Sequence, residues 1–178
     1  NSLDIRYEAT TDAPTILNLT SHAYFNLHGT SKYSTNSHIL RINAAHFIPT
    51  DEGLIPTGEI ASVEGTPLDF RIPTAIGERI DDTSFEPIVF AGGYDHNWVL
   101  DKQKEFSLAA EVFEPSTGIV MHVWTDQPGL QFYSGNFMDG KDLGRGGDIH
   151  GYSTGKALET QNDPDAPNHP GFPSAVLQ

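Results

Sequence analysis

The chain opens on an alternation. Leu3, Ile5, Tyr7 and Ala9 are apolar with polar residues between them, the period of a strand that faces two environments. The same two-residue period, rich in Val, Ile, Phe and Tyr, predicts strands over 3–9, 16–27, 39–47, 106–113, 119–125, 130–136 and 157–161. Turn formers punctuate them. In Glu114-Pro115-Ser116-Thr117-Gly118, a proline early and a glycine late predict a hairpin turn joining the strands at 106–113 and 119–125. One short helix is predicted over 74–80, opened by Pro73, and long helical periodicity is absent. The prolines of 163–173 lack the donor a sheet interior demands, so that segment is predicted to be an ordered loop or crossing segment. With 17 Gly and 12 Pro in 178 residues, the pattern as a whole is that of an all-β domain of many strands.

Composition narrows the class. Hydrophobic residues at 37% suffice for a core, and charged residues at 19% are too few for a disordered polyelectrolyte. The 24 Asp and Glu against 10 Lys and Arg leave a net charge of −14 and no basic cluster. Neither nucleic acid nor an anionic membrane surface is therefore an expected partner. No apolar run approaches the ~20 residues of a bilayer span, and no signal-like segment opens the chain. Zero Cys removes disulfides and thiolate chemistry without placing a compartment. Eight His residues show neither HxH nor HExxH spacing, so no metal is expected. GxSxG, P-loop and dinucleotide fingerprints are missing, and with them the usual marks of acyl transfer, phosphoryl transfer and nicotinamide redox chemistry. The length fits one domain, 1–178, without linker or repeat. Both ends fall inside strand-like patterns, which predicts a domain incomplete at the N-terminus and at the C-terminus.

Four segments carry candidate chemistry. Over 16–27, Leu17, Leu19, Ala23, Phe25 and Leu27 form an apolar face, while Asn18, Thr20, His22, Tyr24 and Asn26 form an uncharged polar one. Such a face suits a site that grips hydroxyls, with His22 pointing into it; a solvated strand face with an incidental histidine is the alternative. Ala91-Gly92-Gly93-Tyr94-Asp95-His96-Asn97-Trp98 sets two glycines before side chains able to contact a ligand. Taken by itself, the segment reads first as a loop with Asp95 in an Asx turn and Trp98 in the core. Gln131 and Tyr133 lie opposite Leu130 and Phe132. Glu159 sits in mid-strand, where Glu is depleted; buried, it would have the raised pKa of a base working near neutrality, and exposed it would be a surface carboxylate.

Together, Asn18-Leu19-Thr20-Ser21-His22-Ala23-Tyr24-Phe25-Asn26-Leu27, Gly93-Tyr94-Asp95-His96-Asn97, Gly129-Leu130-Gln131-Phe132-Tyr133-Ser134-Gly135-Asn136, and Leu158-Glu159-Thr160-Gln161 with Pro164-Asp165-Ala166-Pro167-Asn168 resemble the aldose 1-epimerase (galactose mutarotase) family, in the family's order. The resemblance covers nearly the whole chain. It implies a twisted antiparallel β-sandwich of the galactose-mutarotase type that binds a free aldose, galactose or glucose, without a cofactor. It also implies that His22 is the general acid on the ring oxygen and Glu159 the general base on the anomeric hydroxyl, with Asp95 and Gln131 holding sugar hydroxyls and Tyr24 a further contact. An imidazole with a reference pKa near ~6.5 and a carboxyl near ~4.3 suit complementary roles around neutrality. The family pattern has an upstream portion bearing a substrate-binding Arg and a second active-site His, and a closing strand beyond the end. The expectation is that another polypeptide segment completes the domain, and that the 178 residues alone are inactive or poorly folded. A sugar-binding or regulatory module without turnover is the alternative function, and a purely structural β module a third. Family members are often cytoplasmic, which sets that expectation here.

Overall fold

The computed structural model describes residues 1–144 and 147–161, together with the backbone of 176–177. In chain order the strands are β1 (Thr15–Ile16), β2 (Tyr24–Phe25), β3 (Ile39–Ile42), β4 (His46–Ile48), β5 (Ala61–Ser62), β6 (Thr74–Ala75), β7 (Asp95–Val99), β8 (Ser107–Phe113), β9 (Val120–Thr125), β10 (Gly129–Tyr133), β11 (Asp142–Leu143), β12 (Ile149–His150), β13 (Lys156–Gln161) and β14 (Val176–Leu177). Among the described residues there is a single α-helix, α1 (Glu86–Ala91). A six-stranded sheet, β2-β13-β10-β7-β4-β5, packs against a four-stranded one, β6-β3-β8-β9, and two further two-stranded pairs lie outside them. Every pairing among the described residues is antiparallel. The predicted all-β antiparallel sandwich is what the chain forms.

The core lies between the two sheets. Leu40 and Ile42 of β3 with Ala110 and Val112 of β8 meet Phe47, Trp98, Leu130, Phe132 and Leu158 of the larger sheet in one buried cluster. Trp98 is fully buried, and its indole N–H donates to the Leu68 carbonyl at 3.0 Å, which satisfies its one polar group. Strand alternation then forces the neighbouring side chains of β7, β10 and β13 to the sheet's other face. That face carries the chemistry. No described helix is long and apolar enough to cross a membrane.

Local structure departs from the sequence pattern in several places. Residues 3–9 form no strand; Leu3, Ile5 and Tyr7 stand exposed, because alternation marks two faces but supplies no neighbour for the backbone. The strand expected over 16–27 pairs only at its ends, Ile16 with β14 and Tyr24–Phe25 with β13. The run at 39–47 breaks in two where the chain leaves the smaller sheet for the larger. Asn43 bridges that corner, its N–H donating to Ala109 and its carbonyl accepting from Asp101, each at 2.8 Å. The helix expected over 74–80 is instead β6, paired with β3, followed by a single 3-10 turn at Ile76–Glu78. Sheet pairing there outweighs the weak helical propensity of Thr74, Ile76 and Gly77. The helix that does form, α1, starts with Glu86 and Pro87 in its first turn and ends on Gly92 at φ 63°, a left-handed cap that glycine accepts without cost. The hairpin turn at 114–118 forms as expected, closed by the Gly118 N–H on the Glu114 carbonyl at 2.9 Å. Strands 106–113, 119–125, 130–136 and 157–161 are found within a few residues of their predicted bounds. The proline-rich segment 163–173 lies outside the described residues.

Candidate active site

Register lays the site out in two rows. Glu159 of β13 sits directly beside Gln131 of β10, Gln131 beside Asn97 of β7, and Asn97 beside Ile48 of β4. In the next row Tyr24 of β2, Ala157 of β13, Tyr133 of β10 and Asp95 of β7 stand abreast. Hydrogen-bonded strands lie about 4.8 Å apart, so the side chains of Glu159, Gln131, Asn97, Tyr24, Tyr133 and Asp95 form one polar patch, with Ala157 within it and Ile48 at its edge.

His22 precedes β2 and reaches over this patch. Its Nε2 lies 3.2 Å from Glu159 Oε1, and the imidazole is half exposed while the carboxylate is only 10% exposed. Tyr24 flanks the imidazole at 4.9 Å between ring centroids, and Tyr133 meets it edge-on at 6.2 Å. Upstream, Asn18 approaches Gln161 of β13 through its amide at 3.5 Å, which ties the same segment to the strand bearing Glu159. Gln131 Nε2 donates to Asp95 Oδ1 at 2.9 Å, diagonally across β10 and β7. The sequence-predicted residues His22, Tyr24, Asp95, Gln131 and Glu159 are thus brought to one face.

Burial pushes the Glu159 carboxyl above the usual range; His22 works against that rise and the Asp95 charge adds to it. Asp95 is likewise raised by burial, with the Gln131 hydrogen bond and His22 pulling it back. Tyr24 is raised by burial, then by Tyr133, Glu159 and Asp95. Two carboxyls with raised affinity for protons beside an imidazole are suited to exchanging protons with a bound polar molecule.

The loop feeding β7 fixes Asp95. Asn136 Nδ2 donates to the carbonyls of Ala91 and Tyr94 at 3.0 and 2.9 Å. Gly93 lies against it at φ 141°, where an added Cβ would come within 2.5 Å of Asn136 Oδ1. The Asp95 N–H donates to His96 Nδ1 at 3.1 Å, and burial holds that histidine's pKa down to about 4, keeping it a neutral acceptor. Asp95 is a strand residue, not a turn residue. Sequence reasoning missed β7 because Gly92-Gly93-Tyr94-Asp95-His96-Asn97 has the composition of a loop. Asn97, in the same segment, was not singled out, although its two-residue offset from Asp95 puts it on the same face. Among the described residues no group of three or more His, Asp and Glu gathers as a metal site would require.

The family model described as aldose 1-epimerase matches residues 1–178. The chain is 43% identical over 176 residues to galactose mutarotase of Homo sapiens, covering 99% of this chain and 50% of that protein. It is 39% identical to aldose 1-epimerase of Escherichia coli (strain K12), covering 97% of this chain and 49% of that protein. The crystal structure of the GalM/aldose epimerase homologue from C. elegans superposes with a TM-score of 0.80 at 30% identity, over 95% of this chain and 49% of that one. Galactose 1-epimerase from Lactobacillus acidophilus NCFM superposes at 0.75 and 27% identity, over 94% of this chain and 46% of that one. The chain spans about half the length of the curated relatives it matches.

Proposed function

The chain belongs to the aldose 1-epimerase family, and on that premise we propose that it interconverts the α and β anomers of a free aldose such as galactose or glucose. The observation that carries the proposal is the approach of His22 Nε2 to within 3.2 Å of Glu159 Oε1 on the polar face of the larger sheet. An acid and a base that close can serve two oxygens on one carbon, and the ring oxygen and anomeric hydroxyl of a pyranose are such a pair.

Glu159 takes the proton of the anomeric hydroxyl as the C1–O1 bond becomes a carbonyl. The C1–O5 bond breaks, and the ring oxygen receives a proton from His22. After rotation about C1–C2, His22 takes that proton back as O5 attacks the other face of C1, and Glu159 returns its proton to O1. Both groups end as they began, so no separate resetting step is needed. The raised proton affinity of Glu159 supports its role as a base near neutrality. Asp95 and Gln131, joined at 2.9 Å, present a carboxylate and an amide to sugar hydroxyls one strand away. Tyr24 lies beside the acid as a further contact.

Polarimetry on freshly dissolved α-galactose and α-glucose tests the reading. The intact protein is expected to speed the approach to the equilibrium rotation, and His22→Asn and Glu159→Gln to abolish most of that acceleration. Calorimetric binding of galactose with no acceleration would establish a sugar-binding module instead, and neither binding nor acceleration would overturn the sugar reading altogether.

A further inference from the structure

Asn97 has a feature the acid–base pair does not use. Its side chain is buried to 4% exposure, yet neither Nδ2 nor Oδ1 has a hydrogen-bond partner. A buried amide with both ends unsatisfied is rare in a folded protein and points to something that satisfies it. Thr50 is only half-buried, but its Oγ1 is inaccessible and unpartnered, and it lines the same small cavity of about 70 Å³, whose wall also includes Asp95, Gln131, Ile48 and Leu54. Among these, Gln131 Nε2 and Asp95 Oδ1 are paired to each other, and the fully buried polar atoms left without a partner are those of Asn97 and Thr50.

Register fixes where this cavity lies relative to the reaction. Glu159, Gln131 and Asn97 stand abreast on three consecutive strands, so Asn97 is two strand spacings, roughly 10 Å, from Glu159 along the row. Both side chains stand on the same face of the sheet with Gln131 between them, and a span of that length is comparable to a pyranose with its exocyclic hydroxyls. We propose that the Asn97 amide and the Thr50 hydroxyl form a subsite for one exocyclic hydroxyl of the bound aldose, at the end of the ring remote from Glu159. The amide offers a donor and an acceptor, and a sugar hydroxyl is both, so one hydroxyl matches it. Ile48 and Leu54 close the cavity with apolar surface, so an analogue that lacks the hydroxyl leaves the amide unpaired and is discriminated against. This inference rests on the aldose reading of the site.

The experiment is a coupling measurement on the intact protein, comparing wild type and Asn97→Leu on galactose and on the set of monodeoxy galactoses. Asn97→Leu keeps the number and branching of side-chain heavy atoms and removes both polar ones; Asn97→Ser serves if circular dichroism shows that the bulkier leucine variant does not fold. The variant is expected to lose about tenfold in kcat/KM on galactose, as for one hydrogen bond to a group otherwise left unpaired. One deoxy sugar is expected to lose a similar factor on the wild type and nothing further on the variant, and Thr50→Val to show a smaller loss coupled to the same sugar. If every deoxy sugar loses equally on both proteins while wild-type turnover is normal, the amide binds water alone and the subsite is refuted with the aldose reading intact. If wild type neither binds nor turns over galactose, both fall together.

Discussion

Replacing Glu159 with Gln changes one atom's chemistry and almost no volume, and its consequences separate catalysis from folding. A general base contributes ~10²- to 10⁴-fold, so the anomerisation rate is expected to fall by that factor, about 2.7–5.5 kcal/mol of barrier. Stability should move the other way. The carboxylate is only 10% exposed, and its affinity for a proton is raised by burial, opposed by His22 and increased by Asp95. For an acid raised in the fold, the stabilising contribution is complete below its ordinary value of about 4.3 and is lost as pH climbs through the raised one. The glutamine carries no such loss. Glu159→Gln is therefore expected to unfold at a temperature equal to or above wild type near neutral pH, with the difference shrinking to nothing below about pH 4. Polarimetric rates beside thermal melts across that pH range make the test. A variant that keeps its rate within a few fold, or that melts lower at neutrality than in acid relative to wild type, would refute the reasoning.

Gln131→Ala removes the donor 2.9 Å from Asp95 and is expected to lower kcat/KM by roughly tenfold while raising the apparent pKa of Asp95 further, read by carboxyl NMR titration. Lys156 is fully buried with no partner for Nζ, and burial holds its ammonium well below the usual range. The neutral amine is thus the form the fold prefers, and stability is lost as pH falls. Lys156→Met is expected to gain about 1–3 kcal/mol in denaturant unfolding at neutral pH, with the gain fading toward pH ~10. Burial raises the proton affinity of Glu114, but its hydrogen bonds from Ser116 and Thr117 outweigh that and bring its pKa to about 2. For such an acid the stabilisation is present above about 4.3 and vanishes as pH falls toward 2. Glu114→Gln should accordingly destabilise at pH 7 and match wild type near pH 2 in urea titrations.

The strands of the core were legible because their burial is one-sided. Leu130 and Phe132 alternate with Gln131, and Leu158 with Glu159, so pattern alone revealed both strand and face. His22 and Tyr24 were legible for the same reason. What alternation does not encode is pairing. Residues 3–9 alternate as well as any strand in the chain and pair with nothing described, whereas β7, which pairs on both edges, buries His96, Asn97 and Trp98 in succession and shows no alternation at all. The convergence of residues 22 and 159 was available only through resemblance, since it arises from β2 adding to the edge of β13. The two-residue offset from Asp95 sets Asn97 on the same face, but its unsatisfied amide is a property of its surroundings that no pattern encodes.

That His22 and Glu159 serve two oxygens of one pyranose is tested most directly by a crystal structure of the protein with galactose, using Glu159→Gln to slow turnover. The expected density places the anomeric oxygen against residue 159, the ring oxygen within hydrogen-bond reach of His22 Nε2, and the far hydroxyls over Asp95, Gln131 and Asn97. A sugar bound with C1 turned away from residue 159, or seated elsewhere on the molecule, would contradict it.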